Sequence, residues 1–245
     1  MIAKQQITSL ISKYYLGTNE TVKWVINNNN LEINFESPSK DVRGSVICSD
    51  FQLENTTLGI YETKKLSALL SMCQGELLLE LEKVNTISTK LHISDLNFNV
   101  AYSLCDTYSI PKIGTINLPN EYEIEINLSS EDISNLIRAK SALSEVDNMF
   151  FQTALDLDGG SVCEVVFSDG YTHSNKVIYQ LQGKITSNNI KIPFNSSMFK
   201  TILQANKDME VGTLRLNSGG LLHLKFHTDT VTSEYYMVRR AEAEF

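Results

Sequence analysis

The stretch Ser129-Ser130-Glu131-Asp132-Ile133-Ser134-Asn135-Leu136-Ile137-Arg138 decides how this chain is read. A serine can cap a helix here, with two carboxylates in the first turn, where the positive helix end favours them. Ile133, Leu136 and Ile137 then open an apolar stripe at helical spacing that continues to Leu143. The same stripe stands 126 residues earlier. Ile7, Leu10 and Ile11, followed by Tyr14 and Tyr15, mark a helix over Lys4 to Leu16 that Gly17 ends. A second matching pair is spaced by 133 residues. Leu66, Leu69 and Leu70, with Cys73, mark a helix over Glu62 to Cys73; Phe199, Ile202 and Leu203 mark one over Ser196 to Lys207. Each half reads helix, strands, helix, strands, which is the signature of an internal repeat.

Between the helices the period falls to two. Val22–Ile26 and Leu31–Phe35 flank four asparagines, Asn27 to Asn30, residue types that tolerate positive φ in a hairpin turn. Strands are expected at Gly44–Cys48, Leu58–Tyr61, Glu76–Leu81, Thr86–His92 and Leu96–Leu104. In the second half they are expected at Glu121–Ile126, Phe150–Leu157, Val162–Phe167, Lys176–Gln182, Gly212–Leu216, Leu221–Thr228 and Glu234–Arg239. Asp106 to Pro119 carries Pro111, Gly114 and Pro119 without a sustained period, and reads as an extended connector. The expected fold class is α+β: two similar domains, at 1–105 and 120–245, each with two helices packed on antiparallel sheet, joined by 106–119.

Composition narrows the function classes. The chain has 245 residues, 42% hydrophobic and 20% charged, enough to bury a real core. Met1-Ile2-Ala3-Lys4 turns polar at once, with no apolar stretch of the secretory kind. No apolar run approaches the roughly 18 residues a membrane helix needs. A soluble, cytoplasmic protein is expected, and Cys48, Cys73, Cys105 and Cys163, scattered and without a CxxC, are expected to be reduced thiols. The formal net charge of −8 argues against a protein that coats nucleic acid with its whole surface.

That charge is unevenly spread. The four helical windows hold eight basic residues against three acidic, a net of +5, and the rest of the chain holds 13 against 26. Extending the windows to Glu145 and Asp208 lowers the helical figure to +3 and keeps its sign. Lys13, Lys64, Lys65 and Arg138 are expected away from their apolar stripes and Lys200 at a polar flank, whereas Lys140 falls within its stripe. Lys4 and Lys207 are terminal. The residues between are small and neutral (Gln5, Ser9, Ser12, Ser67, Ser71, Ser134, Thr201), a surface that attracts phosphates without gripping bases. An ordinary solvated helix face would look the same for any single lysine.

These features resemble the DNA sliding clamps, polymerase processivity factors, and within them the T4-type phage clamp subunit. Glu131 to Arg138 is similar to that family's E-D-L-x-x-L-L-R helix, and Glu234-Tyr235-Tyr236-Met237-Val238 with the acidic tail Ala241–Phe245 to its last strand and end. The resemblance spans the whole length in short motifs. It implies a closed head-to-tail ring, a homotrimer with the helices lining a hole around duplex DNA, and edge strands near Leu96–Leu104 and Lys176–Gln182 pairing between subunits. It further implies DNA polymerase and an ATP-dependent clamp loader as partners, no catalytic site, no cofactor, no membrane, and the cytoplasm of an infected bacterium as location. Lys13, Lys64, Lys65, Arg138 and Lys200 would face DNA; Ile110, Pro111 and Ile113 are candidate residues for docking partner tails, unless they simply pack the connector onto sheet.

Other signals lead elsewhere. His223 and His227 have i, i+4 spacing, but on a strand that separates them by about 13 Å, too far to share a metal ion. Asp156-Leu157-Asp158-Gly159-Gly160 has the look of a carboxylate metal loop without its further ligands, and a hairpin turn accounts for it. There is no P-loop, G-x-S-x-G or dinucleotide fingerprint. The competing readings are a phage structural or assembly protein of duplicated β domains, and a hydrolase using Asp156 and Asp158.

Overall fold

In a computed structural model, residues 1–155, 158–169 and 174–240 are described. The chain forms two compact units. The first comprises Met1–Pro38, Gly44–Thr115 and Asp229–Ser233; the second comprises Ser39–Arg43, Ile116–Thr228 and the chain from Glu234 onward.

In the first unit, β1 (Ile2–Ala3) leads directly into α1 (Lys4–Tyr15). Then come β2 (Val22–Asn27), β3 (Asn30–Glu36), β4 (Val42–Cys48), β5 (Thr56–Ile60), α2 (Thr63–Met72), β6 (Glu76–Val84), β7 (Ile87–Ser94) and β8 (Asn99–Ser103). Two sheets result, ordered β1-β6-β7-β8 and β4-β3-β2-β5, and α1 packs against α2. Asn28 (φ 49°) and Asn29 (φ 60°) make the two-residue turn between β2 and β3, and two consecutive left-handed residues give the turn whose twist suits a hairpin. Trp24 anchors the core, with Tyr14 and Phe51 edge-on at 6.5 and 6.0 Å.

The second unit repeats the plan. It contains β9 (Ile124–Leu128), α3 (Ser130–Ala142), β10 (Asn148–Leu155), β11 (Ser161–Phe167), β12 (Val177–Leu181), β13 (Lys184–Ile185), β14 (Lys191–Asn195), α4 (Ser196–Ala205), β15 (Val211–Asn217), β16 (Leu221–His227) and β17 (Val231–Val238). Its sheets run β12-β11-β10-β14 and β13-β9-β15-β16-β17. Gly183 lets the chain turn into β13, because a Cβ there would stand 2.5 Å from the Glu125 carbonyl oxygen. Phe151 lies edge-on to Phe194 (5.8 Å) and Phe199 (5.7 Å) at the centre of the core.

The repeat extends to single hydrogen bonds. Thr63 Oγ1 donates to the Glu20 carbonyl at 3.0 Å, and Ser196 Oγ to the Val146 carbonyl at 2.6 Å. The donors are 133 residues apart and the acceptors 126, the two offsets seen in the sequence. At the helix ends, Cys73 N donates to Leu70 O and Asn206 N to Leu203 O, both at 3.2 Å. The helix starts differ: α3 has a full capping box between Ser129 and Asp132, α4 is capped by Asn195, and α1 has no side-chain cap.

Several boundaries differ from expectation. Thr86 and Leu96 lie in turns, and Glu121 to Glu123 precede the strand assigned to them. β1, β13 and β14 were not expected. β14 contains Pro193, which an edge strand tolerates because no ladder N–H is lost on its open side. The Asp169-Gly170 turn, Asp156 and Leu157, and the tail Ala241–Phe245 lie wholly or partly outside the described residues.

Phe151→Ala should cost about 3–5 kcal/mol, because it removes a fully buried ring and two edge-to-face contacts. Urea unfolding followed by near-ultraviolet circular dichroism measures this.

Candidate nucleic-acid interface

The four α-helices hold seven basic residues (Lys4, Lys13, Lys64, Lys65, Arg138, Lys140, Lys200) and two acidic ones (Glu131, Asp132), a net of +5; the remaining chain holds 14 and 27. The segregation of charge thus follows the actual helix boundaries. Both acids sit in the first turn of α3. Asp132 belongs to the capping box, where burial would raise its pKa, but hydrogen bonds from Ser129 and Tyr179 outweigh it and hold the carboxylate below the usual range.

Lys64, Lys65 and Arg138 are exposed, and Lys200 is half-buried. Lys65 pairs with Glu62 at 3.2 Å, one turn back, and Arg138 Nη1 donates to Asn135 Oδ1 at 3.4 Å. Both are solvent-exposed contacts that water screens, so the cations remain available to an external anion. Ser12, Ser134, Ser141 and Ser197 lie exposed on the same helices, and the hydroxyls of Ser12, Ser134 and Ser141 are turned back onto helix carbonyls. Apart from Glu131 in the first turn of α3, the exposed helix surface is cationic or neutral.

Lys13 departs from expectation. It is 1% exposed, and its Nζ donates to Ser9 Oγ at 2.7 Å. The buried arc of α1 is wider than its apolar stripe: it takes in Ile7, Leu10, Ile11, Lys13 and Tyr14. A lysine stem is apolar enough to lie in such an arc when its ammonium finds an oxygen. The expectation of a solvent-facing Lys13 is corrected on that ground. Lys140 is also buried, and its Nζ donates to the carbonyls of Leu143 (3.1 Å) and Ser144 (2.8 Å) just past the end of α3. Burial pulls its pKa down, partly opposed by Asp147. Lys140 serves as a cationic cap on carbonyls at the negative helix end. Lys4 does comparable work across helices, donating to Ser71 O near the end of α2 at 2.9 Å.

In the connector, Thr107–Ser109 form a single 3-10 turn capped by Asp106 and lying against β5, and Ile110, which follows it, is buried. Ile110 is therefore part of its own unit's core and is withdrawn as a docking residue. Pro111 is exposed and Ile113 borders on it; Leu118, which the sequence reading passed over, is more open than either isoleucine. His223 and His227 lie on β16, as the strand reading required. His223 is buried and stacked on Tyr236 at 4.6 Å, and burial holds its pKa below the ordinary histidine value. Asp158 lies in a turn, and its proposed companion Asp156 is outside the described residues. Among the described residues, no helix is long and apolar enough to cross a membrane.

Lys140→Met should destabilise the chain by about 1–2 kcal/mol, since two carbonyls lose a charged donor. Arg138→Met, on the exposed side of the same helix, should change stability by less than about 0.5 kcal/mol. Equilibrium urea unfolding of the two variants side by side gives the comparison.

No protein-family model matches this chain, and no curated protein matches it by sequence. Solved structures do match over nearly the full length. PCNA from A. fulgidus, with the C-terminal region of FEN-1 bound, superposes with a TM-score of 0.77 at 13% identity, over 99% of this chain and 98% of that one. PCNA from Thermococcus kodakaraensis gives 0.75 at 16% identity, over 98% of both chains. In the PCNA2–PCNA3 complex from Sulfolobus tokodaii the figures are 0.73, 14%, 99% and 98%. The fold of this chain is the PCNA-type clamp fold, α+β with four helices on antiparallel sheets.

Proposed function

We propose that this chain is a subunit of a DNA sliding clamp: a non-catalytic ring that encircles duplex DNA and tethers a polymerase for processive synthesis. The observation that carries the reading is the conjunction of the clamp fold with helices of net charge +5 on a chain whose net charge is −8. A ring held on DNA by topology needs contacts that attract phosphate and release it easily. Scattered lysines and an arginine among serines supply that, without the forked donors that read bases. Lys64, Lys65, Arg138 and Lys200 are the residues assigned to phosphate, with Lys13 left out because it is buried.

The proposed assembly is a head-to-tail homotrimer, with functional domains at 1–105 and 120–245 joined by 106–119. Among the described residues, β8 is bonded on one side to β7 and β12 on one side to β11, so both expected edge strands do lie at sheet edges. Two different edges on one chain make a heterologous contact, the kind that closes into rings. Pro111 and Ile113 remain the candidates for docking short apolar tails of a polymerase and of an ATP-dependent loader. A phage origin, and with it an infected bacterial cytoplasm, rests on the likeness of Glu131–Arg138 and the last strand to the T4-type subunit.

The direct test is polymerase processivity on primed circular DNA with an active cognate loader, where stimulation is expected and its absence would remove the reading. Arg138→Glu combined with Lys200→Glu should weaken the direct binding of the unloaded protein to linear duplex and flatten the salt dependence of that binding, by roughly one unit of log–log slope per lost phosphate contact. Native mass should be unchanged in that variant. A loss of assembly would move these two residues from the DNA face to an interface.

A further inference from the structure

The start of α2 is capped from outside the helix. Glu62 N donates to Tyr102 Oη (3.2 Å), Thr63 N to the Glu20 carbonyl (3.1 Å) and Lys64 N to Glu20 Oε2 (2.9 Å). The side chain of the N-cap residue ordinarily accepts one of these bonds. Here that residue is Glu62, which makes no capping bond and pairs with Lys65 instead. Its counterpart 133 residues on, Asn195, caps α4 locally by accepting from Met198 N. The counterpart of Glu20, 126 residues on, is Val146, a buried apolar residue with no side-chain acceptor to offer. The second unit therefore caps its helix from within, and the first unit caps its helix with a carboxylate from the loop after α1.

That carboxylate is held on both sides. Thr18 N and Asn19 N donate to Tyr15 O (2.9 and 2.8 Å), and the buried Asn19 donates from Nδ2 to Tyr14 O at 2.6 Å. Tyr15 Oη donates to Glu20 Oε1 at 3.2 Å. One oxygen of the half-buried Glu20 is thus fixed by α1 and the other by α2. What it steadies is a turn that needs help. Lys64 and Lys65, both exposed, are the second and third residues of α2, and no acid shares that turn. Two cations at the positive end of a helix favour fraying, which a carboxylate on the N–H groups offsets. Glu20 meets the backbone of the turn, so both lysine side chains stay on the exposed face.

We propose that Glu20 is a positioning residue for DNA, an acid that strengthens phosphate contact by fixing the turn that carries Lys64 and Lys65. This rests on the assignment of those two lysines to phosphate above. A loose turn would have to be ordered by the DNA, and that ordering would subtract from binding. Charge counting alone says the reverse, because a carboxylate beside phosphate-binding lysines repels the phosphate and its removal should help. The two accounts predict opposite signs.

The experiment is direct binding of the full chain to a short linear duplex, titrated over a salt series. The variants are Glu20→Ala, Glu20→Gln, the pair Lys64→Met with Lys65→Met, and that pair combined with Glu20→Ala. Glu20→Ala should bind more weakly than the unmodified chain although it carries one negative charge fewer, with a log–log salt slope lower by roughly one unit. Glu20→Gln keeps an oxygen for the Lys64 N–H and loses the charge, so it should bind at least as tightly as the unmodified chain. On the background without the two lysines, Glu20→Ala should no longer weaken binding. Melting curves and amide exchange at Lys64 and Lys65 establish that the variants are folded and that Glu20→Ala loosens the turn. If Glu20→Ala fails to fold, Tyr15→Phe, which frees Oε1 and leaves the cap, should give a smaller weakening in the same direction. Equal or tighter binding by Glu20→Ala, or a weakening that persists without the two lysines, would overturn the proposal and leave the clamp reading in place. A lysine-pair variant that binds as the unmodified chain does would overturn the assignment of Lys64 and Lys65 to phosphate, and the proposal with it.

Discussion

A two-layer domain of this size depends on seating short helices whose apolar stripes are only three or four residues wide. α1 and α2 in one unit, and α3 and α4 in the other, each bury such a stripe and none could stand alone in water at 10 to 13 residues. Their positions are therefore set by the rings they pack on: Trp24 and Phe51, with Trp24 met by Tyr14 of α1, in the first unit, and Phe151 and Phe194, with Phe151 met by Phe199 of α4, in the second. The buried hydroxyls of Thr63 and Ser196, each tied to a carbonyl in the loop that follows the first helix of its unit, fix where the second helix begins. Burial on one side leaves the other face of each helix to solvent.

What occupies that exposed face is the link from fold to function. A surface rich in mixed ion pairs would have been self-neutralised, whereas the helices bear cations spaced by serine and glutamine, with all but two of the 29 acids on the remaining chain. Two of the helical lysines are consumed by the structure: Lys13 in the buried arc of α1, and Lys140 on the carbonyls that end α3. Those left over are few and screened, which suits a contact that must not grip. In the proposed clamp, tight binding would oppose movement along DNA as surely as no binding would fail to centre it.

Much of this was legible from residue spacing. The offsets of 126 and 133 hold down to individual helix-terminal hydrogen bonds, and the middle two of the four asparagines before Leu31 form the expected hairpin turn. The errors share a cause: burial contributed by neighbours has no period along the sequence. Lys13 is polar on a helical wheel yet enclosed by its surroundings, and Ile110 is in a Pro-bearing connector yet packed into a core. β1 and β13 are two-residue strands defined only by their partners, and β14 was hidden by Pro193, although its place in the repeat, as the counterpart of β5, could have revealed it. The hydrogen bond from the Glu62 N–H to the Tyr102 hydroxyl was invisible for the same reason, since the two meet only through the tertiary fold. The exposed Leu96 and Phe98 had a readable signal, two apolar residues alternating with Asp95 and Asn97 in a turn.

The central claim is that retention on DNA is topological, with the charge contacts merely guiding. It is tested most directly by loading the protein onto a nicked circle, raising the salt, and then cutting the circle once. The account predicts that the protein stays on the intact circle at salt concentrations that abolish phosphate contacts, and leaves within the time needed to slide off the new ends. Equal retention on linear DNA, or loss from the closed circle on adding salt, would contradict it.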